Sequence, residues 1–219
     1  PNLARIFRIK ESVPLAALPA IRTKEALNAI HTAFPQYING GNVLMTGLNN
    51  MGAVFHPALA MLNAGWIEAT HGNFEFYVDG VTPSVAKVLE VIDRERVTVA
   101  SAIGIRARTG MEWLELAYNA RGGNLYDAMH NQTGYYGNKA PPAVNHLFIF
   151  EEIPMSLVPI ASIGERYGVS VNCIRSIISL GCILHNTDYW RKGRTIEKLG
   201  IKDLSVGELV RYVETGEKD

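Results

Sequence analysis

The sequence predicts a mainly α (α+β) domain, a multi-helix body preceded by a small β/α remnant. Three observations predict it. Apolar residues recur at helical spacing through most of the chain after about residue 58, in segments bounded by capping residues, proline and glycine. Short extended runs gather in the first 46 residues, too few to form a covered sheet. The 219 residues are 47% hydrophobic, enough for one large core or two small ones.

The first two runs, Leu3–Ile9 and Val13–Leu18, read as short strands around the polar turn Lys10-Glu11-Ser12. Thr23 is placed to cap a helix through Phe34, with Ala26, Leu27, Ile30 and Phe34 on one face and Pro35 as its stop. Asn42–Thr46 reads as a third extended run. In the next stretch, Asn49 and Asn50 lie in a glycine-flanked loop. Pro57 disfavours helix at His56 and suits the start of a new one, so the imidazole is expected at a turn ahead of a buried helix, Ala58–Leu62.

Asn73–Val78 alternates aromatic and polar residues, as in a short strand turning at Asp79-Gly80. Thr82-Pro83-Ser84 opens a long helix to about Ala102, with Gly104 beyond its end; its Asp93-Arg94-Glu95-Arg96 block reads as partly solvated ion pairs. Helices follow at Met111–Tyr118 and Leu125–His130, separated by Gly122-Gly123-Asn124. In the loop Asn131–Pro142, Tyr135 and Tyr136 are read as surface packing in preference to pocket lining. A helix from Pro154 toward Tyr167, interrupted near Pro159, stops at Gly168. Asn172 is placed to cap Cys173–His185, which is apolar almost all round and so expected to be central. Shorter helices are expected around Thr195–Leu199 and from Ser205 to Glu214.

Composition excludes several function classes. Lys plus Arg and Asp plus Glu both total 21, leaving no basic field for a nucleic-acid partner. No uncharged apolar run of membrane-spanning length and no signal-like start is present, so no membrane is expected and the default is a cytoplasmic protein. Cys173 and Cys182 fall on opposite sides of one helix, about 13 Å apart along its axis, too far for a bridge. With no CxxC or HxxxH, no metal is expected. A strand followed by G-x-G-x-x-G and a helix does not occur; Gly40-Gly41 is read as preceding a strand, so the chain is not expected to bind a nicotinamide cofactor by itself.

Leu48-Asn49-Asn50, then Val54-Phe55-His56-Pro57 and Leu62-Asn63-Ala64-Gly65, resemble the start of the helical C-terminal domain of the octopine/nopaline (opine) dehydrogenase family. Thr82-Pro83 with Val85, and Ile92-Asp93 with Glu95-Arg96, match a similar run, and the resemblance covers nearly the whole chain. It implies a 6-phosphogluconate-dehydrogenase-C-terminal-like helical domain, with residues 1–46 as the closing part of a nucleotide-binding α/β domain and 47–219 as the substrate domain. The complete enzyme would use NAD or NADP, held by an N-terminal domain missing here, to reduce the imine formed from an amino acid and a 2-oxo acid. This chain alone is expected to be inactive.

Glu151-Glu152-Ile153-Pro154 taken alone reads as charge at a helix start. In the resembling family it matches Arg-Tyr-x-x-Glu-Asp-Val-Pro, whose aspartate pairs with the histidine of the His-Pro segment. Glu152 stands at that aspartate, Leu147 and Phe148 at the Arg-Tyr pair. The resemblance therefore implies His56 as general acid with Glu152 as its partner, and Asn49 and Asn50 as groups orienting substrate. Loss of the arginine removes a fork suited to carboxylate, for which His146, Arg106 and Arg121 are the replacements considered. His31, His71, His130 and His185 read as structural. The rival readings are a non-catalytic binding or dimerisation module, and a ketopantoate or hydroxy-acid reductase using Lys139. Uncovered strands and apolar last helices suggest a homo-oligomer.

Overall fold

The computed structural model describes Ile6 and residues 8–218. Of the strand expected over Leu3–Ile9, residues 1–5 and Phe7 lie outside the described residues, and Ile6, Arg8 and Ile9 are not in a strand. Strand β1, Val13–Leu15, pairs in parallel with β2, Tyr37–Asn39, across helix α1, Thr23–Ile30. The first sheet is therefore a small β-α-β unit and not a hairpin about Lys10-Glu11-Ser12. A three-residue strand carries no readable alternation, which is why β2 escapes a pattern search. Thr23 sits inside the start of α1: its hydroxyl accepts from the Ala17 amide at 3.0 Å and leaves the cap position to Arg22.

Asn42–Thr46 is helical. Asn42 caps α2, Val43–Leu48, by accepting from the Met45 amide at 3.0 Å, and its own amide donates to Glu214 at 2.7 Å. Gly40-Gly41 consequently follows a strand and precedes a helix, opposite to the sequence expectation. Helix α3 runs unbroken through Met51–Leu62 with Pro57 in mid-helix, so His56 lies within a helix and not at a turn. The helix begins earlier than the proline suggests because Asn50 caps it, its side chain accepting from the Gly52 amide at 3.0 Å. Nearly every α3 residue from Met51 to Ala60 is buried, and tertiary packing outweighs the hydrogen bond that proline forfeits.

After α4, Ala64–Thr70, the segment expected as a strand at Asn73–Val78 is a series of turns with one isolated bridge, Glu75 to Lys139. Asp79 accepts from the Glu75 amide at 2.7 Å and curls the chain, while Phe74 and Phe76 are buried as aromatic anchors. Helix α5, Pro83–Ala102, starts as expected with Thr82 accepting from the Val85 amide. With α3 it forms the centre of the molecule: α5 packs on α2, α3, α7 (Leu125–His130), α9 (Val158–Arg166) and α10 (Asn172–Leu184). Helix α6, Gly110–Tyr118, carries a capping box between Thr109 and Glu112.

Helix α8, Leu147–Phe150, continues through a π-helical turn, Ile153–Leu157, into α9. The run Leu147–Arg166 has the length and apolar composition of a membrane span, but 56% of its most apolar window is buried among other helices. Helix α10 buries only Ile174, Ile177, Ile178 and Gly181; Leu180, Ile183 and Leu184 face outward, so it is half buried and not central throughout. Its N-terminus is capped from afar by Glu95, which accepts from the amides of Cys173 and Ile174 at 2.9 Å each; Asn172 does not serve as the cap. Residues 195–199 form turns, and a short helix the sequence did not announce, α11, Tyr189–Lys192, precedes them; α12, Val206–Thr215, closes the fold behind Ser205. Cys173 and Cys182 are both free.

Within the charged block on α5, Arg94 is exposed but the Asp93–Arg96 pair is buried. Arg96 is 0% exposed. It pairs with the buried Asp93 at 2.6 Å and donates to the carbonyls of Leu48 and Arg108, while Asp93 accepts from the Gly110 amide at 2.7 Å. One ion pair thus joins the end of α2, the loop after α5 and the first residue of α6. Replacing Arg96 by Met strands the aspartate in the core and is expected to cost about 3–5 kcal/mol in denaturant unfolding. Arg94→Met on the same helix should change stability by no more than about 0.5 kcal/mol.

Candidate functional site

The site is assembled where the α2–α3 junction meets the run from α8 into the π-helical turn. His56 and Glu152, far apart in sequence, come together: His56 Nδ1 lies 3.1 Å from Glu152 Oε1. The other ring nitrogen, Nε2, is 2.9 Å from the Tyr77 hydroxyl. With Glu152 ionised, Nδ1 donates to it, and Nε2 accepts from Tyr77 in the neutral ring or donates to it in the protonated one. Phe148 stacks on the imidazole at 4.2 Å between ring centres, so the ring is held at both nitrogens and on one face.

Glu152 is itself fixed. Ser156, one turn later on the π-helical segment, donates to Oε2 at 2.8 Å, and the Asn50 amide donates to Ser156 at 3.0 Å and to Oε2 at 3.5 Å. Burial pushes the carboxyl's pKa upward, but hydrogen bonds from His56 and Ser156, the charge of His56 and the bond from Asn50 together hold it below its ordinary value. The Tyr77 hydroxyl is pushed up by burial, then by Tyr118 and the Glu152 charge, and stays protonated at neutral pH. Burial and the neighbouring His56 charge both lower His146.

The longer acid fits because of a glycine. A Cβ on Gly52 would lie 2.2 Å from Glu152 Oε1, so the carboxylate rests directly on the first turn of α3. Glycine there costs the helix about 1 kcal/mol relative to alanine.

These groups border a cavity of about 340 Å³, a volume suited to a small molecule. Phe55, Tyr77, Trp113, Tyr118 and Tyr135 supply aromatic surface; Lys10 and Arg108 supply positive charge. Tyr135 is buried and stacks on Tyr77 at 4.4 Å, so it lines the cavity, whereas Tyr136 is exposed. Asn49 and Asn50 also border the cavity, but their amides are engaged by protein. Asn49 donates to the Met45 carbonyl and accepts from the Arg108 amide, both at 2.7 Å, and Asn50 caps α3 and braces Ser156. Their hydrogen bonds hold the walls in place of the substrate-orienting role expected from sequence.

Among the expected arginine replacements, Arg106 and Arg121 are exposed and pair with Glu112 and Glu115, and His146 packs edge-on against Phe148. None of them borders the cavity, nor does Leu147 or Lys139. His130 bonds the carbonyls of Tyr126 and Val78, and His185 bonds Tyr189 and the Val144 carbonyl, both structural uses. Tyr77, Ser156, Arg108 and Lys10 were missed by sequence reasoning. Only Ser156 had a local signal, its spacing of one helical turn from Glu152. Among the described residues no three His, Cys, Asp or Glu side chains gather as a metal site. Nor do they fit a dinucleotide: the glycines before α2 lack the G-x-G-x-x-G order, and Asn42 already caps that six-residue helix.

Two outcomes are expected. Gly52→Ala drives the carboxylate from the ring, and the low-field Nδ1 proton resonance of His56 disappears while the far-ultraviolet dichroism stays helical. Glu152→Gln costs about 1–3 kcal/mol at pH 7 in denaturant unfolding. Because the folded carboxyl lies below its ordinary value of 4.5, its contribution is complete above that value and fades as pH falls through the folded one. The gap between variant and parent should close only below pH 4.5.

Residues 39–185 match the family model described as NAD/NADP octopine/nopaline dehydrogenase, alpha-helical domain. The chain is 33% identical over 214 residues to an opine dehydrogenase of Arthrobacter sp. (strain 1C), covering 98% of this chain and 59% of that protein. It is 23% identical over 210 residues to the protein ocs of Agrobacterium tumefaciens (strain Ach5), covering 94% and 58%. The chain thus spans somewhat under three-fifths of these curated relatives. Octopine dehydrogenase in complex with NADH and agmatine superimposes with a TM-score of 0.67 at 18% identity, over 89% of this chain and 54% of that one. A form described with NADH and L-arginine gives 0.65 at 18% identity over the same shares. With the helix order, the His-Pro segment on α3 and a family match over most of its length, the chain belongs to the octopine/nopaline dehydrogenase family, of which it carries the alpha-helical domain.

Proposed function

We propose that this chain is the substrate-binding and proton-handling half of an opine dehydrogenase-like oxidoreductase. The complete enzyme would condense an amino acid with a 2-oxo acid reductively, using NAD or NADP held by a nucleotide-binding domain outside this chain. The observation that carries the reading is the His56–Glu152 contact at the edge of a cavity large enough for such substrates. The Arthrobacter relative is named an opine dehydrogenase, and the octopine dehydrogenase structures are described with NADH and with arginine, agmatine or pyruvate.

In this reading His56 is the general acid. Glu152 fixes the tautomer and stabilises the imidazolium by direct attraction, as a carboxylate does for histidine in other enzymes. Nε2 is the nitrogen turned from Glu152, and its present partner, the Tyr77 hydroxyl, also borders the cavity. A proton held at Nε2 can pass to a substrate heteroatom that displaces Tyr77, or through that hydroxyl.

The proposal includes residues 1–46 as the closing part of the nucleotide-binding domain, residues 47–219 as the substrate domain, a cytoplasmic location, a homo-oligomer, and no activity for this chain alone. The Lys139 reading has no support, because that side chain is exposed and does not border the cavity. In the full-length protein, NAD(P)H oxidation should appear with a subset of amino acid and 2-oxo acid pairs. His56→Ala should lower kcat by about 10²–10⁴-fold while the protein stays folded. Turnover unaffected by that change removes His56 from the mechanism, and no oxidation with any pair favours a non-catalytic binding module.

A further inference from the structure

The sequence lacks an arginine at the position where the family motif has one, Leu147 stands there exposed, and no replacement proposed from sequence reaches the cavity. A cation borders it from another element. Arg108, in the loop between α5 and α6, is half buried and lines the cavity; no ion pair or side-chain hydrogen bond is found for its guanidinium among the described residues. Its backbone is pinned on both sides, the amide donating to Asn49 Oδ1 at 2.7 Å and the carbonyl accepting from buried Arg96. The direction in which the side chain leaves the backbone is therefore fixed, while its fork is free. Lys10 is the second cation on the cavity, held with its ammonium 5.1 Å from the centre of the Trp113 ring.

Glu152 is the one carboxylate bordering this cavity among the described residues, and it is already shared by His56, Ser156 and Asn50. Two cations with no free acid leave positive charge on the cavity lining unbalanced. Partial desolvation of an unpaired guanidinium is costly unless an anion completes it, and a planar fork matches a carboxylate.

We propose that Arg108, assisted by Lys10, is the carboxylate-recognition residue of this cavity, doing from the α5–α6 loop what the family motif does from the start of α8. A 2-oxo acid or the carboxylate of an amino acid binds with its anion on Arg108 and its carbonyl or imine carbon toward His56, and the same positive charge repels a cationic side chain. The inference rests on reading the cavity as the substrate site.

The test is equilibrium binding to the purified chain, followed through the fluorescence of Trp113 on the cavity wall. The probes are phenylpyruvate and phenylacetone, which has a methyl group in place of the carboxylate. Phenylpyruvate should bind saturably and phenylacetone more weakly. Arg108→Met should weaken phenylpyruvate by about 30-fold or more and leave phenylacetone unchanged, with Arg108→Lys intermediate. Unaltered melting temperatures of both variants exclude unfolding as the cause. Equal phenylpyruvate affinity in Arg108→Met, equal affinity of the parent for both probes, or no saturable response in the parent overturns the inference. If phenylpyruvate binds through Arg108 but the full-length protein oxidises no NAD(P)H, the functional reading fails and this one stands. If turnover occurs and Arg108→Met leaves KM for the oxo acid unchanged, the reverse holds.

Discussion

A single buried guanidinium sets the geometry of the cavity. Arg96 reaches the carbonyl that ends α2, the carbonyl of Arg108 and the carboxylate of Asp93, which in turn receives the first amide of α6. A neutral side chain could fill that volume, but it could not bind a helix end, a loop and a helix start at once. The charge is tolerated in the core because its guanidinium is met by one carboxylate and two backbone carbonyls. Asn49 and Arg108 are each covalently next to, or part of, a segment this arginine holds, so the positive wall of the cavity inherits its rigidity from the core.

The opposite wall depends on helix irregularity. Glu152 and Ser156 lie where α8 passes through a π-helical turn into α9, a local widening that is common at functional positions. The carboxylate is thereby carried on a long helical run whose other face is packed, and not on a loop. On the facing element, His56 is carried by a largely buried helix and is stacked on Phe148. Phenylalanine in place of the motif's tyrosine keeps that ring contact, so the departure leaves the histidine supported.

Much of this was legible in the sequence. Helix starts located α5 and α12 because Thr82 and Ser205 act through local hydrogen bonds that spacing reveals, and apolar residues with the break at Gly122-Gly123-Asn124 located α6 and α7. The pairing of His56 with Glu152 was legible only through family resemblance, since nothing local links the two positions. What stayed hidden was decided by partners distant in the chain. Pro57 was read as a boundary because its local preference is strong, yet α3 is held by burial on nearly all sides. The Asp93–Arg96 block reads as partly solvated ion pairs by composition, and only the fold shows which backbone carbonyls it meets. Tyr77 and Arg108 belong to turns whose direction is set by other segments, and no periodicity reports on that.

The contact between Gly52 and Glu152 ties together two positions that are usually free to drift. A side chain at 52 would collide with the acid, and an acid one methylene shorter would leave a gap above the glycine. The two positions are sterically complementary, so the first turn of α3 and the reach of the carboxylate act as a single fitted joint.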